Sequence, residues 1–363
     1  MTRHQPIRVL VIDDSAYSRQ TITRMLESSP LVDVVGVARD GEEALRRSIE
    51  LKPDLVTLDL EMPRMDGFTY LRMVMARNPT PVIVVSGQAD DEQVFKALDL
   101  GAADFIAKPT PRATPELATI QDELIRKVHA IRELRIEKVR ERTRTAPAVL
   151  GAGRRERPSV PPVVVIGSST GGPSALMQIL GAFAEAPPFA VLIAQHMPAG
   201  FTGGFAERLD RLTPFSAGEA AGGEELRPGH VWVAPGGRHL EVEAVGGRVV
   251  TRVVENTGED KYSPSADRLF QSAAKHFGSE LLGVVLTGMG DDGRLGALAI
   301  KAGRGAVIAE SEESAVIFGM PRQVIQAGCA DRVLALKEIP EAMLSGVTSA
   351  TVASRSRIRR GEA

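Results

Sequence analysis

Ser169 lies within Gly167-Ser168-Ser169-Thr170-Gly171, directly after the apolar run Val163-Val164-Val165-Ile166. The spacing fits Gly-x-Ser-x-Gly. Its glycines permit a sharp turn that exposes the central hydroxyl at a helix start, where backbone N–H groups can stabilise an oxyanion. A plain tight turn or a phosphate cradle would also suit such a stretch, but the Walker lysine is missing and Gly-x-Gly-x-x-Gly is not matched. A nucleophilic serine needs a base, and the base needs an orienting acid. His196 follows the apolar run 190–195, and the segment Leu286-Thr287-Gly288-Met289-Gly290-Asp291-Asp292-Gly293 follows another strand candidate. That glycine-rich loop holds two aspartates, and its backbone could add an oxyanion donor. The other histidines are less well placed. His4 and His129 lie in or beside the first region, His239 follows a Gly-Gly turn, His276 lies in a helical stretch, and His230 begins a strand rather than ending one. The order Ser…His…Asp differs from the Ser…Asp…His of α/β-hydrolases, so the pattern points to another scaffold with convergent triad chemistry.

A second constellation is acidic. Asp13-Asp14 closes the first apolar run and Asp59 closes Leu55-Val56-Thr57-Leu58. If the two runs are neighbouring strands, three carboxylates converge. They repel unless a cation sits among them, and oxygen-only ligands suit Mg²⁺, which also bridges to phosphate. Lys108 and Ser86, each at another strand end, can reach phosphoryl oxygens. Singly, an Asp-Asp pair is a solvated turn and a lysine after a strand is common. Five such residues at four strand ends are harder to dismiss.

The elements that must position these groups alternate. Strand candidates at 8–12, 32–38, 55–58, 82–86 and 105–108 are interleaved with helix candidates at 16–27, 41–51, 68–77 and 91–100, with a fifth helix from about 120. Alternation of this kind predicts a parallel sheet covered on both faces, here a flavodoxin-like (βα)5 domain with its site at the carboxyl ends of the strands. The stretch 120–144 reads as one long polar helix, and 145–162 turns to Ala, Pro, Gly and Arg, the clearest linker in the chain. A second α/β region has strand candidates at 163–166, 190–195, 230–234, 240–242, 249–254, 282–286 and 306–309, with an antiparallel hairpin around Gly246-Gly247. It predicts a doubly wound, mostly parallel domain. The divisions are 5–127, a helical extension and linker over 128–160, a second domain over 161–347, and a disordered tail over 348–363.

Length and charge agree. The 363 residues suit two domains, and 44 basic against 46 acidic residues give no global reason to expect a nucleic-acid partner. Cys329 is the only cysteine, which favours a reducing compartment. No apolar run approaches membrane-spanning length and no signal peptide is apparent, so a cytoplasmic protein is expected.

The first region resembles the receiver domain of two-component response regulators over about 6–127. The resemblance rests on Val11-Ile12-Asp13-Asp14, the segment from Leu58 to Gly67 (Leu-Asp-Leu-Glu-Met-Pro-Arg-Met-Asp-Gly), Val85-Ser86 and Phe105-Ile106-Ala107-Lys108-Pro109. It implies that Asp59 accepts phosphate from a histidine kinase. Mg²⁺ would be held by Asp14 directly, by Asp13 through water, by the Glu61 backbone carbonyl and by Asp59. It also puts Ser86, Phe105 and Lys108 at the switch positions, with Phe105 in place of a frequent tyrosine. The second region resembles the catalytic domain of chemotaxis protein-glutamate methylesterases over about 163–344. There the resemblance rests on the Ser169 motif, Gln195-His196-Met197-Pro198, Ala234–Leu240 (Ala-Pro-Gly-Gly-Arg-His-Leu), Tyr262-Ser263-Pro264-Ser265-Ala266-Asp267, the 286–293 loop and Phe318-Gly319-Met320-Pro321. It implies Ser169 as nucleophile, His196 as base, Asp292 as orienting acid, and oxyanion N–H groups from Thr170 and Met289, with no cofactor for the esterase reaction. Ser168 stands where that family often has alanine. The implied substrates are methylated glutamates on chemoreceptors, with deamidation of receptor glutamines as a second activity. Contact with the membrane would come only through those receptors, and a monomer is expected. The resemblance further implies that the unmodified receiver limits access to the esterase site and that phosphorylation relieves this. Rival readings are a receiver fused to a DNA-binding output, for which no recognition helix is seen, a dinucleotide-binding oxidoreductase, and a catalytically dead interaction module.

Overall fold

The computed structural model describes residues 5–87, 91–108, 120–144, 163–258 and 260–345. The chain divides into two compact units, one ending at Arg144 and one beginning at Thr145. The linker expected over 145–162 and the tail from 348 lie outside the described residues.

The first unit runs β1 (Ile7–Ile12), α1 (Ala16–Glu27), β2 (Val32–Ala38), α2 (Gly41–Leu51), β3 (Leu55–Leu58), α3 (Gly67–Arg77), β4 (Val82–Gly87), α4 (Asp91–Asp99), β5 (Asp104–Lys108), α5 (Gln121–Ala130) and α6 (Ile136–Arg144). The sheet is wholly parallel in the order β2-β1-β3-β4-β5. This is the doubly wound order in which the chain reverses direction beside β1, opening a crevice between β1 and β3 at their carboxyl ends. Val9, Val11, Leu55, Ile83, Val85 and Ile106 fill one face, against Ile22, Met25, Leu26, Leu124 and Val128 from α1 and α5.

One expectation fails here. The stretch 120–144 is not a single helix: α5 ends at Ala130, residues Ile131–Glu133 form a tighter turn, and Leu134 is extended before α6 begins. Ile131 is buried in the core and Leu134 packs against it. Both side chains settle on that core where the helix gives way.

The second unit runs β6 (Val163–Ser168), α7 (Gly172–Leu180), β7 (Ala190–Gln195), α8 (Thr202–Leu212), β8 (Ser216–Glu219), β9 (His230–Val233), β10 (Arg238–Val245), β11 (Arg248–Glu255), α9 (Ala266–Phe277), β12 (Leu281–Val285), α10 (Arg294–Ala302), β13 (Ala306–Glu310), α11 (Met320–Gln326) and β14 (Arg332–Leu334). Seven strands form a parallel sheet in the order β14-β13-β12-β6-β7-β9-β8, and β10 pairs antiparallel with β11 in a separate hairpin. The central strands β6, β7 and β12 are buried along their whole length, as a sheet covered on both faces requires. Two strands were not expected from sequence, β8 and β14. Both lie at sheet edges, and an edge strand pairs on one side only and needs no apolar run. Among the described residues no helix is long and apolar enough to cross a membrane.

Candidate active site

In the second unit the chain leaves β6 to one side of the sheet for β7 and returns to the other side for β12. The crevice therefore opens between the carboxyl ends of β6 and β12, with β7 alongside. Ser169 follows β6, His196 follows β7 and the 286–293 loop follows β12. The elbow after β6 is made by Gly171 at φ +78°, which starts α7. The Ser169 N–H donates to Thr287 O at 3.0 Å, and this bond ties the elbow to the loop after β12.

The structure brings His196 and Asp292 together, with Nε2 and Oδ2 2.7 Å apart. The other ring nitrogen, Nδ1, is buried without a hydrogen-bond partner. A carboxylate that accepts from Nε2–H fixes the tautomer, leaving Nδ1 as the basic atom. Ser169 is 8% exposed and its hydroxyl joins no hydrogen bond within the described residues. His196 Nδ1 and the Ser169 hydroxyl are thus both uncommitted, and the imidazole is turned with Nε2, not Nδ1, toward Asp292.

Asp292 is held by more than the histidine. It accepts from Ser265 Oγ at 3.0 Å and from the N–H groups of Ala266 at 2.6 Å, Asp267 at 2.8 Å and Gly293 at 3.1 Å. Two of those N–H groups open α9, where helical donors are otherwise unsatisfied. Burial pushes the Asp292 carboxyl up, but the bond to His196 and the backbone donors outweigh it and hold it below the ordinary aspartate value. Asp291 points elsewhere: half exposed, it accepts from Lys261 Nζ at 3.1 Å and from Tyr262 Oη at 3.3 Å. The two serines divide in the same way. Ser168 is fully buried and its hydroxyl donates to Gln195 Oε1 at 2.6 Å.

Thr287 takes the Ser169 N–H, so that group is not open to a ligand. Thr170 follows it in the elbow, and no backbone acceptor takes the Met289 N–H among the described residues.

Sequence reading missed the residues that hold these parts in place. Gln195 is buried, and its Nε2 donates to Ser169 O and His196 O, each at 3.0 Å, so one amide links the serine and histidine backbones. Thr287 Oγ1 donates to Thr170 O at 3.0 Å, and the Thr287 N–H donates to buried Glu310 at 2.8 Å. Tyr262 stacks on His196, with ring centroids 4.6 Å apart and planes 11° from parallel. A buried glutamine at the end of an apolar strand was the one available signal. Two of the histidines set aside from sequence have partners elsewhere: His129 bonds Ser29 Oγ at 2.9 Å and His239 lies 3.2 Å from Asp260.

In the first unit, Asp13, Asp14 and Asp59 bring carboxylate oxygens within 4.8 Å of one another. Lys108 Nζ bridges Asp13 at 2.9 Å and Asp59 at 2.6 Å. Three carboxylates against one ammonium leave two negative charges, which a divalent cation would balance. The strain is visible in Asp13, whose burial, reinforced by the Asp59 charge and opposed by Lys108, raises its pKa to about 6. The donor set of oxygens therefore fits Mg²⁺. The Glu61 side chain is exposed and stays outside the group, while its N–H reaches Asp59 Oδ1 at 3.4 Å. Ser86, buried in β4, sits beside Ala107 of β5, and Phe105 is buried two residues earlier on that strand.

Comparison with known proteins agrees with this division. Residues 164–343 match the CheB methylesterase family and residues 9–118 match the response regulator receiver domain. A protein-glutamate methylesterase/protein-glutamine glutaminase of Geobacter sulfurreducens is 51% identical over 91% of this chain and 94% of its own length. Another, from Myxococcus xanthus, is 49% identical over 93% of this chain and 96% of its own. The crystal structure of the Thermotoga maritima CheB methylesterase catalytic domain is similar at 41% identity and TM-score 0.50, over 51% of this chain and 98% of that one.

Proposed function

Because the chain belongs to the family of protein-glutamate methylesterases/protein-glutamine glutaminases that join a receiver domain to a CheB methylesterase domain, we propose that it hydrolyses glutamate methyl esters on chemoreceptors under the control of receiver phosphorylation. His196 Nδ1 takes the Ser169 proton as Oγ attacks the ester carbonyl. The oxyanion is met by the Thr170 and Met289 N–H groups. Asp292 stays ionised and holds Nε2–H. Collapse expels methoxide, which leaves as methanol with the proton from His196. Water, deprotonated by the same nitrogen, then attacks the acyl-enzyme and releases Ser169 and the glutamate. A glutamine side chain enters the same cycle with ammonia as the leaving group.

In the receiver, Asp59 accepts a phosphoryl group from a histidine kinase, and Ser86 and Lys108 bind its oxygens. Asp13, Asp14, Asp59 and the Glu61 carbonyl would hold Mg²⁺, which when bound would offset the charge of the carboxylates and the incoming phosphate. Ser86 and Phe105 carry the response, and phosphorylated protein is the more active form. The family likeness supports chemoreceptor substrates, a histidine kinase as phosphodonor and a cytoplasmic setting.

The observation that supports the hydrolytic reading most is the pair of uncommitted atoms, His196 Nδ1 and Ser169 Oγ, beside a His196–Asp292 bond of 2.7 Å. A fluorophosphonate, followed by peptide mapping, tests it. Labelling is expected on Ser169 alone. Label on Ser168, or none on active protein, overturns it.

A further inference from the structure

The reaction as derived leaves Tyr262 without a role, although it is nine-tenths buried against the base. Its ring lies flat on His196 at 4.6 Å between centroids and 11° between planes. The contact is built from three sides. The Tyr262 hydroxyl donates to Asp291 Oδ1 at 3.3 Å. Lys261 Nζ is 4.8 Å from the same ring centroid and pairs with Asp291 at 3.1 Å. The chain beneath the hydroxyl is Gly290 at φ +92°, where a Cβ would fall 2.0 Å from Tyr262 Oη. The loop that carries Asp292 thus also makes room for the tyrosine and supplies the carboxylate that anchors it.

We infer that Tyr262 is a positioning residue of the hydrolytic site: its ring holds the His196 imidazole in one plane and stabilises the imidazolium formed when the base takes the serine proton. The inference rests on His196 being the base. An imidazole with one nitrogen bound to Asp292 can still rotate about that bond, and rotation would change where Nδ1 points. A ring stacked on its face removes that freedom. The π face also carries partial negative charge, which attracts a cation lying on it. The charged groups around the imidazole are Asp292 on Nε2, Asp267 beside Asp292 at the start of α9, and Asp291 and Lys261 behind Tyr262. Lys261 is exposed and paired, so its opposing charge is screened. Asp291, passed over as the orienting acid, becomes the anchor of the stacking ring.

The test uses full-length protein and a methylated receptor as substrate. Tyr262→Phe keeps the ring and is expected to retain kcat within about 3-fold, whereas Tyr262→Leu lowers kcat by about 5–30-fold with KM little changed. The acid limb of the Tyr262→Leu kcat/KM profile moves down by about 0.5–1 pH unit, because the imidazolium has lost its partner. If Tyr262→Leu does not fold, the His196 Cε1–H resonance of Ser169→Ala protein, assigned by comparison with His196→Gln, is expected upfield through the tyrosine ring current. An unshifted resonance, a wild-type kcat and pH profile in Tyr262→Leu, or a loss in Tyr262→Phe equal to that in Tyr262→Leu overturns the inference. His196→Gln separates it from the reading beneath it. If that variant stays active the triad itself is wrong. If it is inactive while Tyr262→Leu is normal, only the role of Tyr262 falls.

Discussion

The two parallel sheets place aspartates at the same kind of edge and treat them in opposite ways. In the first unit three carboxylates crowd within 4.8 Å around one lysine, and Asp13 is driven up to about 6. In the second, Asp292 is more deeply buried than most of its neighbours yet is held below its ordinary value, because three backbone N–H groups, a serine hydroxyl and His196 converge on it. The fold alone does not decide the state of a strand-end aspartate. Donors do: a carboxylate surrounded by N–H groups is complete as an anion, whereas clustered carboxylates with a single ammonium are incomplete and suit a cation.

The contrast can be broken at its strongest point first. Ser169→Ala is expected to lower methanol release by at least about 10⁴-fold, while Ser168→Ala, which removes only a buried donor to Gln195, stays within about 10-fold. The reverse order in a methanol-release assay would move the nucleophile. Next, Asp292→Asn is expected to cost about 10⁴-fold in kcat, since an amide NH2 turned to the ring favours the wrong tautomer and a neutral amide does not stabilise the imidazolium. Asp291→Asn should cost far less, and equal losses would mean that the buried donors do not single out the acid.

The receiver should answer the same kind of substitution with the opposite sign. With chelator present at neutral pH, Asp13→Asn is expected to raise the melting temperature of the receiver by about 2–6 °C, because it removes buried like charge while Asp59 still pairs Lys108. Mg²⁺ should stabilise the wild-type receiver and do so much less in Asp13→Asn. Calorimetry showing destabilisation by Asp13→Asn without metal would sink the view that this cluster is incomplete.

The smallest effect sharpens the comparison inside the second unit. Asp267 lies beside Asp292, but burial raises it to about 6, with its bond to the Gly296 N–H opposing and the Asp292 charge adding. A raised carboxyl means that the folded state holds a proton the unfolded chain has lost between about pH 4 and 6. Asp267 therefore lowers stability as pH rises through that window. The melting temperature of Asp267→Asn relative to wild type should climb by about 1–3 °C from pH 4 to pH 6 and then level off. A flat difference would show that Asp267 is not strained.

Much of this was legible in the chain because it is local. Apolar runs ending in Asp13, Asp59, Ser169 and His196 are visible as runs, and a parallel sheet brings strand ends to one edge whatever the register. The hairpin at Gly246-Gly247 follows from two consecutive residues that accept positive φ, found here at +58° and +79°. Family motifs then singled out Ser169 over Ser168 and Asp292 over Asp291, but spacing supplies no physical reason for either choice. The break within 120–144 was invisible for a similar reason: a polar helix pattern does not reveal that Ile131 and Leu134 will find the same core.

Sequence alone determined which residues could meet, through strand order and the chemistry of what ends each strand. Only the tertiary structure decided how two neighbours part, which of them is buried and which bonds each makes. Successive residues on a turn point apart, so the Ser168 hydroxyl goes inward to Gln195 while the Ser169 hydroxyl makes no such bond, and Asp292 meets the donors of α9 while Asp291 anchors Tyr262. Those donors and rings come from segments about 25 or more residues away in the chain. Hydrogen bonds of that range are set by how helices and loops pack around the sheet, which no local pattern encodes.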